Sequence, residues 1–109
     1  MADTYKPTEA MKAAARRGLK MRSEQSPSNK GGTAVGVARA RDIVNGAALP
    51  LATVKRMFSF FSRHEVDKQS KEWKTNPNSK GKQAWLLWGG DAGYSWSRAI
   101  VNRAKSSKT

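Results

Sequence analysis

The chain has 109 residues and sets 21 Lys and Arg against 8 Asp and Glu, a formal net charge of +13. With no cysteine, disulfides and thiolate metal sites are excluded, and the single histidine excludes a histidine-rich zinc site. No apolar run is long enough to span a bilayer and the opening MADTYKPTEAMK has no apolar signal core, so the sequence reads as soluble and intracellular. This is the length of one domain with a small core. Self-repulsion from so large a charge opposes compaction and points to a polyanionic partner, nucleic acid first, because counterion release rewards phosphate contacts.

Residues 1–7 read as a disordered tail and 8–105 as a single helical domain. Thr8 is placed to cap a first helix with Glu9 in its first turn. Met11, Ala14, Ala15, Gly18 and Met21 recur at helical spacing, while Lys12, Arg16, Arg17, Lys20 and Arg22 take much of the remaining surface. Such a basic amphipathic helix is either simply solvated on its charged side or in contact with phosphate. SEQSPSNKGGT, residues 23–33, is expected to form an exposed loop. Thr33 then caps a second helix in which Val37, Ala40 and Val44 form the apolar stripe with Ile43 beside it, and Gly46 stops it. A third helix is expected over Leu51–His64. Its core positions Val54, Met57, Phe58 and Phe61 fall at i, i+3, i+4 and i+7, and Lys55, Arg56, Ser59 and Arg63 lie off that stripe.

Residues 65–81 are polar and read as a long surface loop with one helical turn near Trp73. A fourth helix is expected over about Lys82–Trp88, ended by Gly89 and Gly90, with Asp91 capping a fifth that runs to Lys105. Trp96, Ile100 and Val101 continue the apolar face, with Ala99 and Ala104 nearby, and residues 106–109 form a basic tail. No segment alternates with period two. The predicted class is all-α, a compact bundle of about five short helices. AWLLWGGDAGYSW, residues 84–96, holds three of the four tryptophans. Trp85 and Trp88 are three apart on one helix and Trp96 lies on the next, so a shared core corner with Trp73 covering an edge is expected over a base-stacking platform.

Three motifs bear on chemistry. LATVKRMF, residues 51–58, resembles the start of a recognition helix in a helix-turn-helix. Thr53 and the basic residues would face the groove while Val54 and Met57 hold the core. Gly46 stands seven residues before Thr53, a longer turn than that motif usually has, and an ordinary αα-hairpin is the alternative. RHEVDK gathers His64, Glu65 and Asp67 but matches no metal-ligand spacing. A charged helix end explains it without a metal-dependent nuclease. WGGDAG lacks the Lys-Ser or Lys-Thr ending of a phosphate loop, and Asp91 would repel the anion.

GGTAVGVARARD, RHEVDK and AWLLWGGDAG together resemble a small domain encoded by tailed bacteriophages, found alone or beside or fused to capsid-maturation proteases. The resemblance covers roughly residues 14–102 and implies a phage origin, acting in the host cytoplasm or in the virion. It supplies no catalytic residues, and the chain has no Gly-x-Ser-x-Gly turn. The expected function is nucleic-acid binding, of DNA first, through phosphate contacts and without an enzymatic activity, a cofactor, a metal or a membrane partner. Arg16, Arg17, Lys20, Arg39, Arg41, Lys55, Arg56 and Arg63 are the expected basic surface, with Thr53 as a groove contact. The alternatives are a virion or assembly protein that meets capsid, scaffold or packaged DNA, and an inhibitor of a host DNA-dependent machine.

Overall fold

The computed structural model describes residues 4–31, 34–69, 71–76 and 79–106. The chain is an all-α bundle of six helices among these residues, tied at one corner by a minimal two-stranded ladder. α1 spans Glu9–Ser23, α2 Ala34–Val44, α3 Leu51–His64, α4 Lys71–Thr75, α5 Lys80–Leu87 and α6 Gly90–Ser106. The strands β1, Thr4–Tyr5, and β2, Leu49–Pro50, pair antiparallel with Thr4 opposite Pro50 and Tyr5 opposite Leu49. From Thr4 onward the disordered-tail expectation therefore gives way. Pro7 is buried, and the segment pairs with the residues that lead into α3.

Local chemistry sets most helix ends. The Thr8 hydroxyl accepts from the Met11 amide at 3.2 Å, which satisfies one of the unpaired donors of the first turn of α1. Gly46 stops α2 as expected, in the left-handed region at φ 71°, and the Gly46 and Ala47 amides turn back to the Ile43 and Asp42 carbonyls. Thr33, the expected cap of α2, lies outside the described residues. α5 starts at Lys80, not Lys82, because buried Ser79 caps it by accepting from the Lys82 amide at 3.3 Å.

The corner after α5 differs from expectation. Gly89 and Gly90 both adopt positive φ, 110° and 64°, so the chain turns tightly enough for α6 to begin at Gly90. Asp91 consequently stands in the first turn of α6 and is not its cap. Residues 65–69 form a short 3₁₀ turn and α4 follows it, so the expected loop is more regular than its composition suggested.

α5 is the central element. It packs against α1, α2, α3 and α6, while α3 rests mainly on α6 and α2 mainly on α1. α2 and α3 thus find their principal partners elsewhere, so they do not form the closely packed pair of a helix-turn-helix. Val54, Met57 and Phe61 of α3 are buried as expected, but Phe60 replaces Phe58 as the fourth core residue because α3 also leans on the end of α5. Phe58 is half-buried beside Tyr94. The buried face of α2 is Gly36, Ala40 and Ile43, with Val37 and Val44 at its margins.

Trp85 and Trp88 are in the core, whereas Trp96 is half-buried and packs at its edge. Trp85 meets Phe61 and Tyr94 edge-on, and Trp73 closes over Trp85 with ring centroids 5.8 Å apart. The loop after α1, expected to be exposed, is pinned near its end. The buried Gly31 amide donates to Gln83 Oε1 at 2.7 Å and the Gly31 carbonyl accepts from Arg22 Nε at 2.9 Å.

α1 comes so close to α5 at Gly18 that a Cβ there would lie 2.8 Å from the Leu87 amide nitrogen and 2.9 Å from the Leu86 Cβ. Backbone cannot yield as a side-chain tip can. Alanine gains about 1 kcal/mol of helix propensity, but this overlap costs roughly 1–3 kcal/mol or more. Gly18→Ala is expected to destabilise the fold by about 1–2 kcal/mol net, read as a lower urea midpoint at unchanged slope.

Candidate functional site

The side of α3 that lines a groove reads Arg56, Phe60, Arg63, His64, at i, i+4, i+7 and i+8. Facing it, α5 and its C-cap present Lys80, Ala84 and Trp88, at i, i+4 and i+8. Helical geometry makes each set a stripe, and the two stripes line one groove of about 580 Å³, with Val35 of α2 also in its lining. Its floor is a run of rings. Trp88 stacks on Phe60 at 4.8 Å and 16°, and the His64 ring lies against Phe60 at 4.6 Å, tilted by 33°. Trp88 and Phe60 are each only 8% exposed, so they show edges to the groove, whereas His64 is exposed. Among the described residues, Arg56, Arg63 and Lys80 take part in no ion pair, so three positive charges stand over an apolar, aromatic floor.

A second groove, also of about 580 Å³, runs along the other side of α5. Arg17, Lys68 and Lys82 stand there with Trp73, Trp85 and Asp91. Lys68, Trp85 and Asp91 of this site are engaged with one another. Lys68 Nζ lies 4.3 Å from the centroid of the Trp85 ring and also pairs with Asp91, and the same carboxylate oxygen accepts from Trp85 Nε1 at 2.9 Å. The Lys68 hydrogen bond holds the Asp91 carboxyl below its ordinary value of 3.8, and the Trp85 bond adds to this against the opposing effect of partial burial.

The nine residues singled out from the sequence therefore do not share one face. Arg56 and Arg63 meet in the first groove, and Arg17 belongs to the second. Arg16, Lys20, Arg41 and Lys55 are exposed but line neither. Arg39 is withdrawn, with its side chain 18% exposed and its Nη1 on Asp42 Oδ2 at 2.9 Å. Thr53 is half-buried in the first turn of α3. Lys80 escaped the sequence reading because the helix was begun two residues late. Phe60 escaped it because the sequence pattern assigns the core position of that turn to Phe58, and His64 figures there only within the RHEVDK cluster.

Two residues of RHEVDK have contacts elsewhere among the described residues. His64 turns to Phe60, and Glu65 Oε2 accepts from the Tyr94 hydroxyl at 2.9 Å. The Asp67 side chain lies outside the described residues. Among the described residues no three His, Cys, Asp or Glu come together as a metal site, and no helix is long and apolar enough to cross a membrane. No protein family, curated protein or solved structure matches the chain.

The Asp91 contacts separate two effects. Asp91→Asn keeps an oxygen for the Trp85 N–H and loses the ion pair with Lys68. Because the Asp91 side chain is 79% exposed, screening keeps that loss below about 1 kcal/mol. Asp91→Ala also orphans the indole N–H of a ring only 3% exposed, a cost of roughly 1–3 kcal/mol. The depressed Asp91 carboxyl stabilises the fold above pH 3.8, and this contribution is lost as pH falls through the still lower folded value. Urea titrations should show the small gap between wild type and Asp91→Asn closing in acid, and the Asp91→Ala deficit persisting there.

Proposed function

We propose that this is a small, basic, phage-encoded protein of the host cytoplasm that binds nucleic acid, DNA first, through its phosphates. It acts by binding and not by catalysis. The observation that carries the proposal is the groove between α3 and α5, where Arg56, Arg63 and Lys80 stand unpaired by any described acid around an aromatic floor. Three such cations can each displace a condensed counterion from a phosphate chain, a gain that a neutral ligand does not offer. The phage origin rests on the resemblance of the three sequence motifs.

A second use is favoured by one feature of the same groove. Val35, 55% exposed, adds one apolar side chain to the lining beside Phe60, Ala84 and Trp88. An assembly role, with the groove on an acidic capsid or scaffold protein, is the alternative proposal.

Binding of duplex DNA, single-stranded DNA and RNA measured across a salt series tests the first proposal. The wild type should bind with a steep salt dependence. Arg56→Ala/Arg63→Ala/Lys80→Ala should weaken binding and flatten the slope by about 0.7–0.9 for each phosphate that is no longer neutralised. Arg16→Ala/Arg41→Ala, with both residues outside either groove, should change affinity less. An absence of binding to all three nucleic acids near physiological salt would sink the proposal and leave the assembly role.

A further inference from the structure

Resting on the nucleic-acid proposal above, we infer that the α3–α5 groove takes an unpaired strand, with one base laid on the exposed end of the Trp88–Phe60–His64 stack and the neighbouring phosphates on Arg56, Arg63 and Lys80. The order of groups along the groove carries this. On α3 a cation, Arg56, is followed one turn later by an aromatic ring, Phe60, and a turn after that by a second cation, Arg63, with His64 adjoining it. Arg56 and Arg63 are seven residues apart, about 10 Å along the helix axis. They bracket the rings and are not clustered to one side. Lys80 supplies a third positive point on the opposite wall.

Interleaved cations and stacked rings are what a single strand requires, because its bases and phosphates alternate and its bases are free to turn outward. A duplex keeps its bases stacked inside and presents a convex, phosphate-lined surface. It could touch the rim cations of this groove but could not fill its floor. The groove volume of about 580 Å³ lies within the range of roughly 300–1,000 Å³ usual for sites that enclose a small ligand, enough to admit a base. The rings are also arranged for the task. Trp88 and Phe60 are held in the core, with Phe60 edge-on to Phe61 at 5.4 Å, so they form a fixed base for the stack. His64, at the last turn of α3, is the ring of the three that is open to solvent. Sequence preference is expected to be weak, since stacking on a ring accepts any base.

The second groove does not compete for this role. Its Lys68 and Trp85 already satisfy each other and Asp91, and the Asp91 carboxylate would repel a phosphate.

The test compares a fluorescently labelled oligodeoxythymidine of about 15 nucleotides, near the upper end of the footprint of one small binding domain, with a duplex of the same length. Both are titrated with the full-length protein at one salt concentration and followed by anisotropy. Because Trp88 and Phe60 also support the core, the decisive substitutions fall on His64. Wild type should bind the single strand about tenfold or more tighter than the duplex. His64→Ala should weaken single-strand binding by roughly five- to tenfold, the lower end of a stacking contribution, and leave duplex binding unchanged. His64→Phe, which restores a ring without the imidazole, should recover most of that loss. Arg56→Ala/Arg63→Ala should weaken both. Equal or tighter duplex binding that is still abolished in Arg56→Ala/Arg63→Ala would overturn the single-strand assignment and leave the nucleic-acid proposal standing. Single-strand binding indifferent to His64→Ala would overturn the stacking site. Binding of neither probe would overturn both, and a groove occupied by an acidic protein surface would then account for the charge.

Discussion

The close approach of α1 to α5 at Gly18 is the constraint on which the rest of the bundle depends. α5 spans only eight residues, too few to be stable as an isolated helix in water. It persists because neighbours surround it, and α1 can be one of them only where no Cβ intervenes between Gly18 and the Leu86–Leu87 backbone. With α1 seated there, Met11 and Ala15 enter the same core as Leu87. The buried Gln83 is then drawn against the loop at Gly31, which ties the entry of α2 to the flank of α5. A second close approach repeats the device on the other side. A Cβ on Gly93 would lie 2.7 Å from the Trp88 carbonyl oxygen and 3.2 Å from Phe61, so α6 closes on the end of α5 and α3 together.

A short, encased helix has a further consequence. Only parts of two of its sides reach the surface, and each carries lysine beside tryptophan. On one side Lys68 and Asp91 close around Trp85, and these three side chains engage one another. On the other, Trp88 disappears beneath Phe60 and leaves Lys80 facing two arginines. Residues of the same types thus serve a structural lock in one place and an open basic groove in the other. The presence of a carboxylate within reach makes the difference.

The overall charge cannot be neutralised from within. Complete pairing of every acidic side chain would still leave 13 cations unmatched, and among the described residues Glu9, Asp42 and Asp91 are the acids that form ion pairs. Exposed pairs of this kind contribute little to stability. The fold therefore rests on its aromatic and aliphatic core, and the unpaired charge is a standing repulsion that a polyanion would relieve. A bound phosphate chain would stabilise the native state by mass action as well as by relieving that repulsion.

Much was legible in the sequence because it is local. The 3.6-residue recurrence located α1, α2, α3 and α6. Thr8 and Gly46 marked an end by chemistry that acts within one turn, and the charge excess is a matter of counting. The edge position of Trp73 against Trp85 was expected as well. Other features required distant segments to meet. Thr4–Tyr5 is too short and polar to signal a strand and pairs only because Leu49–Pro50 is delivered beside it. Asp91 looks like a cap until the double-glycine turn carries it past that position and within reach of Lys68 and Trp85. The grouping of the cations is the clearest case. By itself the sequence determined which face of each helix is basic, because a face is a property of one helix. Only the tertiary structure decided that Arg56 and Arg63 share a groove with Lys80 while Arg17 lies on the opposite side of α5, because that depends on which backbones approach closely enough to pack.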